Sequence, residues 1–305
     1  MYKHIEGLIS APFTGFNADM SVNTAIVKKY AASLKKAGVS GVFVNGSTGE
    51  GLSLTVAQRK QLAQSWAAEC DDKFKLLVHV GDVCLENCME LAAQAQKLQA
   101  AAIGMMGPCY YKPACVDDLV EFSAKVAAAA SGTPFYYYHI PSMTGIGFLM
   151  GDYIRKAAVK IPNFVGVKYT HYDIMDYLDC CTYQDGKFDM LYGRDETLIA
   201  GLAAGACGAI GSTYNYIPAV YLEIIDAFKK GDMARARKMQ LLSVEIIKIL
   251  VKTGNSMGVG KAMMKLCGID LGGCALPNKQ ISDSHFKQLE KDLAEVGFFD
   301  YCLKA

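Results

Sequence analysis

Short apolar runs alternate along the chain with longer segments in which apolar residues recur every three to four positions. The runs lack the polar alternation of half-exposed strands, and this is typical of parallel strands buried on both faces. The predicted strands are GLISAPF (7–13), GVFVNG (41–46), KLLVHVG (75–81), AAIGMMG (101–107), PFYYYHI (134–140), FVGVKY (164–169), FDMLYG (188–193) and CGAIGS (207–212).

Helical periodicity fills the intervals between these runs, so each strand is followed by a helix. The helices predicted up to the end of the barrel cover 22–37, 55–69, 84–98, 116–130, 151–159, 173–181, 196–204 and 219–230. Eight such units predict an α/β fold, a closed (β/α)8 TIM barrel. An open doubly wound sheet usually has a glycine-rich dinucleotide turn after its first strand, whereas here that strand continues into Pro-Phe-Thr-Gly-Phe (12–16).

The pattern changes after the eighth strand, where helical segments follow one another without intervening strands. These segments are 232–253, 258–267 and 282–295. We therefore predict two parts, a barrel catalytic domain over 1–230 and a C-terminal helical extension over 231–305.

Composition excludes several classes of protein. Lys+Arg 31 and Asp+Glu 30 nearly balance, so the basic stripe expected of a nucleic-acid-binding surface is missing. No signal-peptide pattern and no apolar stretch of about 20 residues occurs, so we expect neither secretion nor a membrane span. The eleven cysteines include no CxxC motif and sit among apolar neighbours. This favours reduced thiols and a cytoplasmic protein.

Polar side chains collect where the predicted strands end. In TIM barrels the active site lies at the carboxyl ends of the strands, so we expect these side chains to surround one site. In chain order they are Thr14, Asn45 to Glu50, His79, Tyr110 and Tyr111, Tyr138 and His139, Lys168 to Thr170, Gly193 to Glu196, and Ser212 and Thr213.

Lys168 is the most informative of these residues because it follows the apolar run NFVGV. An amine must lose its proton before it attacks a carbonyl carbon, and burial favours the neutral form. Lys168 is thus a candidate nucleophile. From its position alone, a lysine that extends its amine to solvent from a strand end is the more common case.

Two other segments are compatible with the same chemistry. Tyr138 is in phase with Tyr136 and could transfer protons, although the run FYYYHI alone favours a tyrosine that only packs in the core. The loop Gly46 to Glu50 offers two hydroxyls and free backbone N–H groups that suit a carboxylate, or it is an ordinary loop whose Ser and Thr cap a helix. The histidines lack the HxH and HExxH spacings, so we predict no metal site.

The order of four motifs carries a family resemblance. GSTGE (46–50), PCYYKP (108–113), YHIP (138–141) and GVKYT (166–170) follow one another as in the dihydrodipicolinate synthase / N-acetylneuraminate lyase superfamily. The resemblance covers the whole chain, including the C-terminal helices. Within the superfamily the sequence resembles the N-acetylneuraminate lyases.

This resemblance implies roles for individual residues. Lys168 would form the Schiff base and Tyr138 would be the catalytic tyrosine. Ser47 and Thr48 would bind the pyruvate carboxylate, and Thr170 would lie beside the hydroxyl at the bond that breaks. The remaining implied contacts with the polyhydroxyl substrate come from Gly193, Asp195, Glu196 and Ser212, and Tyr111 would extend into the site of a neighbouring subunit.

The resemblance also implies an activity and its alternatives. The activity is a class I aldolase reaction, reversible cleavage of N-acetylneuraminate to N-acetylmannosamine and pyruvate, without a cofactor and in a homotetramer. The alternatives are a 2-keto-3-deoxy sugar acid aldolase, dihydrodipicolinate synthase, and a non-catalytic barrel that binds small acids. In the synthases an arginine follows the tyrosine motif, whereas Met143 stands at that position here. His139 replaces a common Asn, and Tyr169 lies at a variable position.

Overall fold

Eight parallel strands close into a barrel in the computed structural model of the chain, which describes residues 2–305. Neighbours follow sequence order, and β8 pairs with β1. The strands are β1 (Gly7–Ser10), β2 (Gly41–Val44), β3 (Lys75–His79), β4 (Ala102–Met105), β5 (Phe135–His139), β6 (Phe164–Tyr169), β7 (Asp189–Tyr192) and β8 (Gly208–Gly211). The predicted (β/α)8 fold is confirmed.

A helix follows every strand, and further helices complete the chain. Those that alternate with the strands are α1 (Ile26–Lys36), α2 (Val56–Ala67), α3 (Leu85–Lys97), α4 (Val116–Ala128), α5 (Pro141–Thr144), α6 (Met150–Lys160), α7 (Ile174–Thr182), α8 (Leu198–Ala203) and α9 (Pro218–Lys229). Those after the barrel are α10 (Met233–Val251), α11 (Ser256–Leu266), α12 (Asp283–Glu295) and α13 (Phe298–Tyr301). The predicted helical C-terminal part is confirmed.

The hydrophobic pattern does not predict two short helices, α5 and α13. The single turns α5 and α13 are too short to show a hydrophobic period. Pro141 begins α5, at a position where its missing N–H costs nothing, and Gly145 ends it in the left-handed conformation.

Most of the strands end earlier than their hydrophobicity indicates. The prediction for β1 extends to residue 13, but the strand ends at Ser10. Phe13 stays buried because its ring packs against Gly260 of α11, where an added Cβ would overlap it. Burial beyond the strand therefore comes from packing against the C-terminal helices rather than from strand pairing.

The register between strands decides which side chains meet inside the barrel. β5 and β6 are paired from Phe135 and Phe164 to His139 and Tyr169, which puts Tyr138 beside Lys168. Between β7 and β8, by contrast, the part of the chain described has a single paired position, Tyr192 with Ala209.

Two groups of buried side chains separate the barrel interior from its outer layer. Phe43, Tyr136, Tyr138 and Leu191 belong to the interior group. The larger outer core continues without a break into α10 and α11, for example at Met263. The division into 1–230 and 231–305 remains a prediction, because the two parts share this core. No helix in residues 2–305 combines the length and apolarity needed to cross a membrane.

Candidate active site

Lys168 and Tyr138 lie together at the carboxyl end of the barrel interior. Lys168 is 5% exposed and Tyr138 is 3% exposed. The Lys168 Nζ atom lies 3.8 Å from the centroid of the Tyr138 ring and 4.6 Å from that of Phe43. The amine is thus held between two aromatic faces.

His79 completes the aromatic surroundings of this amine. Its ring lies 5.9 Å from that of Tyr138 and 5.8 Å from that of Phe43, edge to face in both cases. Burial, together with the charges of Arg59 and Lys168, holds the pKa of His79 well below its usual value. His79 is therefore neutral. Its Nδ1 lies 3.1 Å from the Asn45 carbonyl oxygen, which can only accept, so Nδ1 carries the proton.

Arg59 supports this histidine from behind the strands. Its side chain is fully buried on α2, and it donates a hydrogen bond of 2.9 Å to the carbonyl oxygen of His79. Asp82 lies 3.3 Å from the guanidinium. Burial lowers the pKa of Arg59 to about 10, so the guanidinium keeps its charge at neutral pH.

The predicted carboxylate-binding loop lies at the end of β2. Ser47 and Thr48 are half-buried there. The loop is tied to β1 through Thr14, whose hydroxyl donates to the Gly49 carbonyl oxygen at 2.6 Å. A cavity of about 210 Å³ opens beside Ser47, and its lining includes His79, Met143, Met257 and Asn278. Residues after the barrel thus reach the mouth of the site.

Thr170 and Gly193 meet on the opposite side of the mouth. The Thr170 hydroxyl is buried and has no hydrogen-bond partner within residues 2–305. A Cβ at position 193 would overlap that hydroxyl. Gly193 therefore leaves room for Thr170 to hold a free hydroxyl group at the position where a substrate hydroxyl is expected.

Asp195 joins the ends of β7 and β8. Its Oδ2 accepts hydrogen bonds from the backbone N–H of Thr213 at 2.9 Å and from the Thr213 hydroxyl at 2.6 Å. Its Oδ1 is buried and has no partner in the described chain. Ser212 lies beside it, half-buried, while Glu196 forms an ion pair with Arg194. One carboxylate oxygen of Asp195 is therefore free to accept a hydrogen bond.

Asp195 should make stability depend on pH. Burial raises its pKa from 3.8 to about 6, so the folded protein disfavours the ionised form. This penalty is absent below the unfolded pKa of about 4 and complete once the pH has risen through about 6. We expect Asp195→Asn to stabilise the fold by about 1–3 kcal/mol at pH 7.5 and to change it little at pH 4, as measured by denaturant unfolding. A gain of equal size at both pH values would contradict this cause.

Tyr111 is the predicted site residue that the structure leaves at the surface. It is 85% exposed, and its ring packs edge-on against Tyr110 with centroids 4.9 Å apart. The other predicted residues lie at or just after the carboxyl ends of β2, β5, β6, β7 and β8. The sequence pattern does not predict Phe43 and Arg59 as site residues, because Phe43 has the pattern of a core position and Arg59 that of a helix surface. Only the three-dimensional arrangement links them to Lys168.

A family comparison identifies the group of proteins to which this architecture and site correspond. The sequence profile of the dihydrodipicolinate synthetase family matches residues 4–296. The chain belongs to the dihydrodipicolinate synthetase family. This agrees with the order of motifs along the sequence.

Similar members of the dihydrodipicolinate synthetase family share a common name. The N-acetylneuraminate lyase of Xenopus tropicalis is 40% identical over 300 residues, covering 95% of this chain and 98% of its own. The Gallus gallus N-acetylneuraminate lyase is 38% identical and covers 96% and 97%. Among solved structures, the Proteus mirabilis N-acetylneuraminate lyase superimposes with a TM-score of 0.94 at 36% identity, covering 97% of this chain and 100% of its own.

Proposed function

We propose that this protein cleaves N-acetylneuraminate reversibly to N-acetylmannosamine and pyruvate through an imine on Lys168. The observation that carries the proposal is the Lys168 amine held against the Tyr138 ring inside the barrel mouth. The full-length similarity to N-acetylneuraminate lyases supports the choice of substrate.

The chemistry begins at the ketone of the open-chain substrate. The neutral amine of Lys168 attacks C2, water leaves, and the resulting protonated imine withdraws electrons from the neighbouring bonds. Tyr138, directly or through the substrate carboxylate, helps remove the proton of the C4 hydroxyl. The C3–C4 bond then breaks, N-acetylmannosamine leaves, and the bonding electrons remain on a pyruvate enamine. Protonation at C3 and hydrolysis of the imine release pyruvate and restore Lys168.

The two sides of the barrel mouth bind different parts of the substrate. Ser47 and Thr48 hold the carboxylate of the pyruvate half, next to the backbone N–H groups of their loop. On the other side, Thr170 lies next to the C4 hydroxyl. Gly193, Asp195, Glu196 and Ser212 face the polyhydroxyl tail, and the free Oδ1 of Asp195 accepts from a hydroxyl.

Met143 supports a neutral second substrate. It lies at the mouth, lining the same cavity as Ser47. Its thioether offers no positive charge and cannot form the bidentate contact that arginine makes with a carboxylate. The carboxylates of Asp195 and Glu196 can accept hydrogen bonds from the hydroxyls of such a substrate.

We expect the enzyme to condense pyruvate with N-acetylmannosamine and not usefully with aspartate semialdehyde. The specificity constants for the two aldehydes should differ by at least about 10²-fold, the scale of one charge-paired contact. Met143→Arg supplies the missing cation and should narrow the difference, whereas Met143→Leu, its matched control, should not. Comparable constants in the unmodified enzyme would exclude this specificity and favour another pyruvate-dependent aldolase.

The assembly and location of the protein are also part of the proposal. We infer a homotetramer in which the exposed Tyr111 extends into the site of a neighbouring subunit, and a cytoplasmic protein. The eleven cysteines are all free thiols, which supports a reducing compartment.

A further inference from the structure

A buried ion pair links the carboxylate-binding loop to the C-terminal helices. Glu50, the last residue of GSTGE, lies 2.6 Å from Lys261 of α11, measured between Oε1 and Nζ. The side chains are 0% and 3% exposed. Desolvation of two charges costs free energy that is recovered only with good geometry and additional hydrogen bonds. This pair is therefore not explained by stability alone.

Further hydrogen bonds complete this geometry. Glu50 Oε2 accepts from the backbone N–H of Ala275 at 2.7 Å, and Lys261 Nζ donates to the Gly273 carbonyl oxygen at 2.6 Å. The ammonium also lies 4.5 Å from the centroid of the Phe16 ring. Both partners of the pair are thus held by the segment after α11, and Lys261 also contacts the loop between β1 and α1.

The backbone at Glu50 needs such an anchor. Its φ of 55° is left-handed, a conformation that a residue with a long side chain adopts only at a cost. The Glu50 N–H donates to the Ser47 carbonyl oxygen at 3.1 Å, closing the turn that contains Ser47 and Thr48. A displacement of the Glu50 side chain would therefore move the turn that contains Ser47 and Thr48.

We propose that Glu50 and Lys261 are positioning residues, through which α11 holds Ser47 and Thr48 in the geometry that binds the pyruvate carboxylate. Their side chains are 3% exposed or less, so we infer that they act through the loop rather than by touching substrate. Helix α11, which follows the barrel, would then contribute to substrate binding through this loop. The inference rests on the proposed function, since it concerns the pyruvate half of the substrate.

The decisive variant removes both charges together. A single Glu50→Gln or Lys261→Met leaves an unpaired buried charge and can unfold the protein, whereas removing a buried pair as a whole is often neutral for stability. Lys265 and Asp270 provide the matched control. They form an ion pair of 2.8 Å that also ties α11 to the segment after it, but both are solvent-exposed and neither contacts the loop.

The measurement is the pyruvate concentration that gives half-maximal borohydride inactivation, taken together with turnover and thermal unfolding. In Glu50→Gln/Lys261→Met we expect this concentration to rise by about tenfold or more, because a displaced binding group loses affinity steeply. Turnover at saturation should fall much less, by less than about threefold, because displacing Ser47 and Thr48 weakens carboxylate binding rather than the chemistry at Lys168. Lys265→Met/Asp270→Asn should match the unmodified enzyme in every readout. An unchanged half-saturating concentration in the double variant, with or without a lower unfolding temperature, overturns the proposal.

A cycle with Ser47→Ala tests whether the pair acts through the loop. If it does, removing Glu50 and Lys261 should raise the half-saturating concentration less in the Ser47→Ala background than in the unmodified enzyme, because the same contact is already lost. Full additivity would place the effect elsewhere and contradict the inference. A failure of the proposed function looks different, since unmodified enzyme would then show no pyruvate-dependent inactivation at all.

Discussion

Replacing Lys168 with alanine should abolish aldol cleavage, lowering turnover by on the order of 10³-fold or more, because no other group takes over a covalent nucleophile. Borohydride added with pyruvate should inactivate the unmodified enzyme and leave one reduced adduct, on Lys168, detectable by peptide mapping. The side chain fills space between aromatic rings rather than anchoring the backbone, so Lys168→Ala should remain folded by circular dichroism.

Lys261 is a natural internal control for this mapping, because it is the other buried lysine at this end of the barrel. Its ammonium is bound by the Glu50 carboxylate and the Gly273 carbonyl oxygen, so it cannot approach a ketone. The Lys168 amine lies instead over the rings of Tyr138 and Phe43. An adduct on Lys261, or on any lysine other than Lys168, would falsify the assignment of the nucleophile.

Tyr138→Phe should lower turnover by about 10²–10⁴-fold, the usual loss when a proton-transfer group is removed. The ring that supports Lys168 remains, so imine formation with pyruvate should persist, and borohydride trapping can be measured in the same variant. Loss of both trapping and turnover would mean that the hydroxyl acts in imine formation.

Tyr136→Phe is the matched control, two residues earlier on the same strand and on the same face. Its hydroxyl donates to Asp189 at 2.6 Å, at the opposite end of β6 and β7 from the site. We expect this variant to unfold at a lower temperature, since Asp189 loses a buried partner, while turnover stays near normal. Near-normal turnover in Tyr138→Phe as well would show that another group moves the proton.

The barrel was predictable because its strands are buried on both faces and therefore lack polar alternation. The positions of Lys168 and Tyr138 followed from the same pattern, since each ends an apolar run and strand ends meet at one rim. Their direct contact depends on the β5–β6 register, which the apolar runs alone leave open. Residue roles at the mouth, by contrast, came from the family resemblance and remain predictions until variants are measured.

The contacts between Glu50, Lys261 and Ala275 could not be predicted from the local sequence around any of them. Glu50 and Ala275 are 225 positions apart, and no periodicity connects them. Lys261 is one of two lysines in α11, and the local sequence does not distinguish it from Lys265, which is exposed. Its burial follows from how α11 packs against the loop between β1 and α1, and a single sequence does not specify such docking between distant segments.

The unequal pairing around the barrel wall gives the mouth two sides of different stiffness. On the Lys168 side, β5 and β6 pair at five positions, with one register shift next to Phe135, and this pairing places Lys168 beside Tyr138. On the other side, β7 and β8 share one ladder position in the described chain, and Asp195 bridges the gap through its bonds to Thr213. A segment held by few contacts opens at a lower free energy than one held by continuous main-chain hydrogen bonds. Under the proposed function, we expect small displacements of β7 and β8 to accommodate polyol tails of different length, while the reacting carbon atoms stay beside Lys168.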